Sequence, residues 1–312
     1  MPRLPPLVEF IAPMMPSLVD APPEGGEWIH EIKYDGYRTE IAVNGSASKA
    51  FTRNGHDWTE RYETVMRSAR ALRCQSALID GEMCVQNERG VTDFGGLRKA
   101  IKGAPHRLVL FAFDLLTLNG RDLRGEPLIE RRKRLQGLID PEIGPRIHFS
   151  EHHVGQGPAF FKAADGHGLE GIVSKRADSR YSAGKSKAWL KTKSFTIGDY
   201  SVIGIERSAT GIPVALLASG GTSPAYVGDA MITLRAKQRD AFWGEVERLG
   251  TPRSRLNGTI AKREAAWVKE GLVARVRHLK GEDMLRHATV QSVGPKDQVR
   301  VDLTADRHPD DE

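Results

Sequence analysis

From residue 28 the chain alternates, with Trp28, His30, Ile32 and Tyr34 on one side of an extended segment and Ile29, Glu31, Lys33 and Asp35 on the other. A second run, 37–43, follows at once, and Asp35-Gly36 between the two is a strong short-range turn signal. Taken alone, the segment predicts a hairpin whose lysine reaches into water. Apolar and β-branched or aromatic residues predict further strands at 77–85 ("ALIDGEMCV") and 108–116 ("LVLFAFDLL"). Three- and four-residue spacing of apolar positions predicts helices at 57–73 and 126–139. "GIVSKR" reads as another strand and "KSKAWLKTKS" as a basic segment ending near residue 195.

Beyond that point the pattern changes. Short β runs ("PVALLAS", "PAYVGDA", "WVKEGLVARVRHL", "ATVQSV") surround one helical stretch at 236–249. About a hundred residues of this kind suit a five-stranded oligonucleotide-binding barrel. The predicted fold class is therefore α+β, with a mixed domain over 1–195, a barrel over 196–304 and an acidic tail over 305–312.

Composition narrows the setting. No apolar run approaches the ~20 residues of a membrane span, and the proline-rich start lacks the pattern of a signal peptide, so a cytoplasmic location is expected. Cys74 and Cys84 are too few for a disulfide framework or a four-thiolate zinc site and are expected as reduced structural thiols. A formal charge of +6 favours an anionic partner, with nucleic acid as the leading candidate.

Six short motifs recur in a telling order: "KYDGYR" (33–38), "TRNG" (52–55), "IDGE" (79–82), "FAFDLL" (111–116), "EGIVSK" (170–175) and "WLKTK" (189–193). Together they resemble the nucleotidyltransferase motifs of ATP-dependent DNA ligases, and their flanks resemble the ligase domain of the bacterial non-homologous end-joining ligases of the ligase D type. The resemblance runs from about residue 8 to 300 and implies a nucleotidyltransferase (adenylation) domain followed by the barrel. It also implies that Lys33 is a nucleophile that attacks the α-phosphate of ATP, expels pyrophosphate and holds AMP as a phosphoramidate. An amine must be neutral to attack, which neighbouring cations favour; Arg38, Lys191, Lys193 and a bound divalent metal are the expected neighbours. Lys191 and Lys193, at i and i+2, share one face of a strand and are spaced to neutralise phosphate charge.

The resemblance further implies that Asp35 and Arg53 orient nucleotide and nick, and that Glu82 and Glu170 hold magnesium or manganese, with Glu82 also serving the ribose. Phe113 is implied to stack on adenine and Glu31 to read its edge; Phe111, on the same strand face, is the alternative stacking ring. Nicked double-stranded DNA is the implied partner of a monomeric two-domain enzyme, and a Ku-type end-binding protein is a further candidate. The basic cluster from Arg131 to Arg134, with Arg253, Arg255, Lys262 and Arg263, supplies candidate phosphate contacts. One departure stands out. Where relatives carry an arginine, an acid and a lysine in the final motif, this chain has Gly294, Lys296 and Asp297, with Lys296, Lys280 or Arg277 as replacement charges. RNA ligation, GTP-dependent capping chemistry and noncatalytic nick binding are the competing readings.

Overall fold

A computed structural model describes residues 9–45, 47–207, 211–220, 224–233, 236–254, 256, 265–279, 284–295 and 301–302. The chain divides into two compact units, Met1–Ser194 and Phe195–Glu312. The first contains, in order, β1 (Met14–Leu18), β2 (Trp28–Ile32), β3 (Tyr37–Asn44), β4 (Ala47–Thr52), α1 (Glu63–Arg70), β5 (Ser76–Cys84), α2 (Phe94–Gly103), β6 (Val109–Leu118), β7 (Arg121–Asp122), α3 (Leu128–Leu138), β8 (Ile147–Phe149), β9 (His153–Val154), α4 (Gly157–Gly166), β10 (Gly171–Arg176) and β11 (Gly184–Lys193).

These strands form two sheets. A 5-stranded sheet runs β1-β11-β10-β2-β9, and a 6-stranded sheet runs β4-β3-β5-β6-β7 with β8 added alongside β6. The hairpin expected at Asp35-Gly36 does not form, because both edges of β2 are taken by β10 and β9 while β3 pairs with β4 and β5. Residues 33–36 instead carry the chain from one sheet to the other. Gly36 serves close approach rather than a hairpin turn: a Cβ there would lie 2.2 Å from the Met83 carbonyl oxygen and 2.7 Å from Cys84 Sγ.

Alternation along the central strands assigns their two faces. Ile41 and Val43 of β3, Ile79 and Met83 of β5, and Leu110 and Ala112 of β6 pack with Val65, Met66, Leu97 and Leu135 from the helices. The opposite face joins a second cluster, in which Leu78 and Phe113 meet Met14, Ile29 and Trp189 of the other sheet. Full burial of each such side chain contributes roughly 1.5–3 kcal/mol. Arg38, Glu40, Asp80 and Glu82 belong by strand parity to this inter-sheet face. Of these, Glu40 and Asp80 are buried, whereas Arg38 and Glu82 are half-buried beside the inter-sheet cluster.

The helix expected over 57–73 begins later. Asp57 forms an antiparallel bridge with Phe51 and Trp58 N–H donates to the Ala50 carbonyl, so the sheet claims this stretch before a 3₁₀ turn at Glu60–Tyr62 leads into α1. Cys74 and Cys84 are both free thiols.

The second unit contains β12 (Phe195–Arg207), β13 (Pro213–Ala218), β14 (Tyr226–Met231), α5 (Ala236–Arg248), β15 (Ala266–Trp267), β16 (Leu272–Leu279), β17 (Thr289–Pro295) and β18 (Val301–Asp302). Its sheet closes on itself: β12 pairs β13, then β14, β17 and β16 follow, and β16 returns to β12. Closure removes the exposed edges that an open sheet would present. The run "WVKEGLVARVRHL" is two strands, β15 and β16, separated at Gly271, whose φ of +131° suits glycine.

Candidate active site

Lys33 sits just past the end of β2, where its backbone N–H donates to the Gly171 carbonyl at 3.0 Å. Gly171 has φ +139°, and a Cβ there would fall 2.1 Å from the Thr192 carbonyl oxygen, so only glycine lets β10 start this close to β11. The result is a direct meeting of Lys33 Nζ and Glu170 Oε2 at 2.5 Å, with side chains 20% and 8% exposed. The Glu170 carbonyl accepts the Ser194 N–H at 2.9 Å, which ties the backbone of the acid to the end of the lysine-bearing strand.

Lys191 and Lys193 lie opposite Val173 and Gly171 in the β10–β11 register. Partial burial lowers the pKa of Lys191, and Lys33, Arg53 and Lys185 lower it further against the pull of Glu170. Arg53, exposed in the turn after β4, therefore lies within electrostatic reach of the lysine strand. Asp35 donates its N–H to Thr92 Oγ1 at 3.1 Å, anchoring the crossover. Burial pushes the Glu82 carboxyl up to about 7, opposed by Arg38 and Lys33 and reinforced by Glu170 and Asp80.

That crowding of carboxylates bears on a metal. Among the described residues no group of three or more His, Cys, Asp or Glu is arranged to hold an ion. Glu82 and Glu170 nevertheless supply an all-oxygen donor pair in mutual repulsion, which suits a hard cation completing its shell with waters and substrate phosphates.

Other expected residues stand in different surroundings. The Arg38 guanidinium is committed to Asp80, with Nε–Oδ1 at 2.5 Å and Nη2–Oδ2 at 2.6 Å, and to the Met14 carbonyl at 3.1 Å. Phe113 does not present an open stacking face: it is 7% exposed, with Arg38 at 4.6 Å and the Lys175 ammonium at 4.1 Å from its ring centroid. A base stacking there must take the place of a cation held by the ring quadrupole. The alternative ring, Phe111, carries Tyr34 in parallel at 4.1 Å.

Glu31 is buried, accepting from Arg132 Nη1 at 2.9 Å and Ser150 Oγ at 2.8 Å, with Lys175 Nζ at 2.7 Å. Burial raises its pKa, yet Arg132 and Lys175 outweigh that and leave it lowered. Lys175, lowered to about 8 by burial against the attraction of Glu31, joins Glu31 to Phe113.

The expectation that Arg131 to Arg134 touch DNA is corrected for the first two. Arg131 is 0% exposed and forms a bidentate pair with Asp114 at 2.8 and 2.7 Å, while Arg132 is 1% exposed on Glu31. Arg134 is exposed beside Glu126. The sequence held the signal: Leu128, Arg131, Arg132, Leu135 and Leu138 follow a helical stripe, and all are buried in α3. Asp80, whose motif "IDGE" points to Glu82 alone, and Tyr181 are linked by a 2.7 Å hydrogen bond from the phenol, a pairing that sequence spacing does not signal.

In the second unit Gly294 lies on β17 opposite Val273, and the Arg277 guanidinium sits 3.8 Å from the Phe195 ring centroid. Arg253 lines an open depression of about 480 Å³ with Thr251, Ser254 and Lys269. Lys280, Lys296, Asp297, Arg255, Lys262 and Arg263 fall outside the described residues.

Residues 10–193 match the family model of the ATP dependent DNA ligase domain. The multifunctional non-homologous end joining protein LigD of Pseudomonas aeruginosa is 36% identical over 200 residues, covering 64% of this chain and 24% of that protein. The Mycobacterium tuberculosis H37Rv LigD is 30% identical over 290 residues, covering 87% of this chain and 37% of that protein. The chain thus spans well under half the length of these relatives. A solved mycobacterial DNA ligase D complexed with ATP and MES superposes with a TM-score of 0.57 at 26% identity, covering 93% of this chain and 98% of that one.

Proposed function

The chain belongs to the ATP-dependent DNA ligase family, and from that premise we propose that it seals 3′-hydroxyl/5′-phosphate nicks in duplex DNA through a lysyl-AMP on Lys33. The observation that carries this reading is the Lys33–Glu170 contact at 2.5 Å within a wall of Glu82, Lys191 and Lys193. Neutral Lys33 Nζ attacks the α-phosphorus, the bond to the bridging oxygen breaks, and pyrophosphate leaves. Glu170 Oε2, 2.5 Å from Nζ, takes the ammonium proton beforehand, and the amine's second proton passes to solvent as the P–N bond forms. Lys191 and Lys193 offset charge developing on the phosphate oxygens. The 5′-phosphate oxygen then displaces Lys33 from the adenylate, and the 3′-hydroxyl displaces AMP.

Magnesium or manganese would be held by Glu82 and Glu170 and would supply charge neutralisation at the phosphates. Glu31 selects the base, and Asp35 and Arg53 orient nucleotide and nick. We assign residues 1–195 to the adenylation domain, 196–304 to the barrel and 305–312 to the tail of a monomer acting on nicked DNA at the nucleoid in repair or end joining, with a Ku-type protein as candidate partner. Incubation with ATP labelled at the α-phosphate is the test. Label should pass to the protein, then to nicked DNA; a protein that stays unlabelled with magnesium or manganese overturns the reading.

A further inference from the structure

We propose that residues Phe10–Val19, linked through Tyr181 to Asp80, form a brace that positions the basic side chains of the site, with Phe10 and Tyr181 as positioning residues. Contacts along this short stretch reach the carriers of Arg53, Arg38 and Lys191, which come from both sheets. The Phe10 ring packs on Phe51 at a centroid distance of 6.0 Å and would lie 3.0 Å from a Cβ on Gly55. Gly55, at φ +79°, closes the turn that presents Arg53, through Gly55 N–H to the Thr52 carbonyl at 2.8 Å and Thr52 N–H to the His56 carbonyl at 2.9 Å. Ile11 N–H donates to Glu40 Oε2 at 3.1 Å. The Met14 carbonyl accepts from Arg38 at 3.1 Å, and Met14 N–H donates to Tyr181 Oη at 3.1 Å. Tyr181 in turn donates to Asp80 Oδ2 at 2.7 Å, the oxygen that Arg38 Nη2 also engages. Finally Leu18 pairs in parallel with Lys191, whose carbonyl accepts Val19 N–H at 3.1 Å.

One segment therefore sets the spacing of three cations that no single sheet could hold together. Because a misplacement of about 1 Å can cost on the order of 100-fold in rate, such a brace acts on chemistry without touching substrate. The inference rests on the ligase reading for its catalytic consequence, but its mechanical content stands apart from it.

Two readouts test it. Amide hydrogen exchange of Phe10→Ala should quicken at Thr52 and Gly55 while the β5 and β6 amides keep their protection, with Phe10→Leu restoring the slow exchange. Uniform acceleration across the unit overturns the brace whether or not the protein forms an adenylate. Rates of adenylate formation then give coupling: Tyr181→Phe should slow the wild type about tenfold yet leave an Arg38→Lys background unchanged, because the phenol acts through that arginine. Equal effects in both backgrounds would reduce Tyr181 to a packing residue and refute its part. Absence of label in the wild type with locally quickened exchange would sink the ligase reading and leave the brace standing.

Discussion

Lys33 Nζ lies 2.5 Å from Oε2 of Glu170, a residue 137 positions further along the chain. The pair exists because the Lys33 N–H bonds to the Gly171 carbonyl, so the backbone contact that ends β2 against β10 also delivers the amine to the acid. Glu170→Gln keeps the shape and removes both the proton acceptor and one carboxylate of the metal pair. Adenylate formation should fall on the order of 10²–10⁴-fold, the range for a lost general base. Single-turnover label transfer checks the rate, and ATP titration should show binding retained.

Lys33→Ala should abolish the adduct altogether. Peptide mass spectrometry after incubation with ATP and a divalent cation should place one adenylate on the Lys33 peptide of the unmodified protein and none in the variant.

Arg131→Met leaves Asp114 buried without its partner, which costs about 3–5 kcal/mol. A large fall in melting temperature is expected. The salt dependence of nick affinity should stay as in the unmodified protein, since Arg131 is 0% exposed and reaches no phosphate; a shallower slope would contradict the burial.

Gly36→Ala places a methyl 2.2 Å from the Met83 carbonyl oxygen, a backbone atom with no rotamer in which to escape. The strain should cost roughly 1–3 kcal/mol or more and displace Lys33. Calorimetry and adenylate yield should both drop, whereas Gly26→Ala, with nothing within 4 Å, should leave both unchanged.

Glu40 supplies a pH test. Burial, then neighbouring Asp80, push its carboxyl up to about 8, against the Ile11 N–H and Arg38. A carboxyl raised on folding stabilises most below its ordinary pKa, and that contribution is lost as pH climbs through the folded value. Between about pH 5 and 8 the wild-type melting temperature should therefore decline more steeply than that of Glu40→Gln, whose amide oxygen still accepts the Ile11 N–H. Parallel curves in differential scanning calorimetry would show that Glu40 does not titrate there.

What the chain's pattern determined by itself was local: strand parity, the apolar faces, the change of character near residue 195, and the motif order that names Lys33 and Glu170. Periodicity reports which way a side chain points relative to its neighbours in sequence. It does not report which sheet a strand joins, so Asp35-Gly36 looked like a hairpin until hydrogen bonding placed β2 and β3 in different sheets. Nor does charge reveal its own solvation. Arg131 and Arg132 read as surface cations, yet Asp114 and Glu31, from distant strands, draw both into the interior. Phe113 is expected to stack on adenine, and only the fold shows that cations from β3 and β10 lie over its ring. Tertiary structure alone decided these points, because burial of a charge is stable only where the fold supplies its partner.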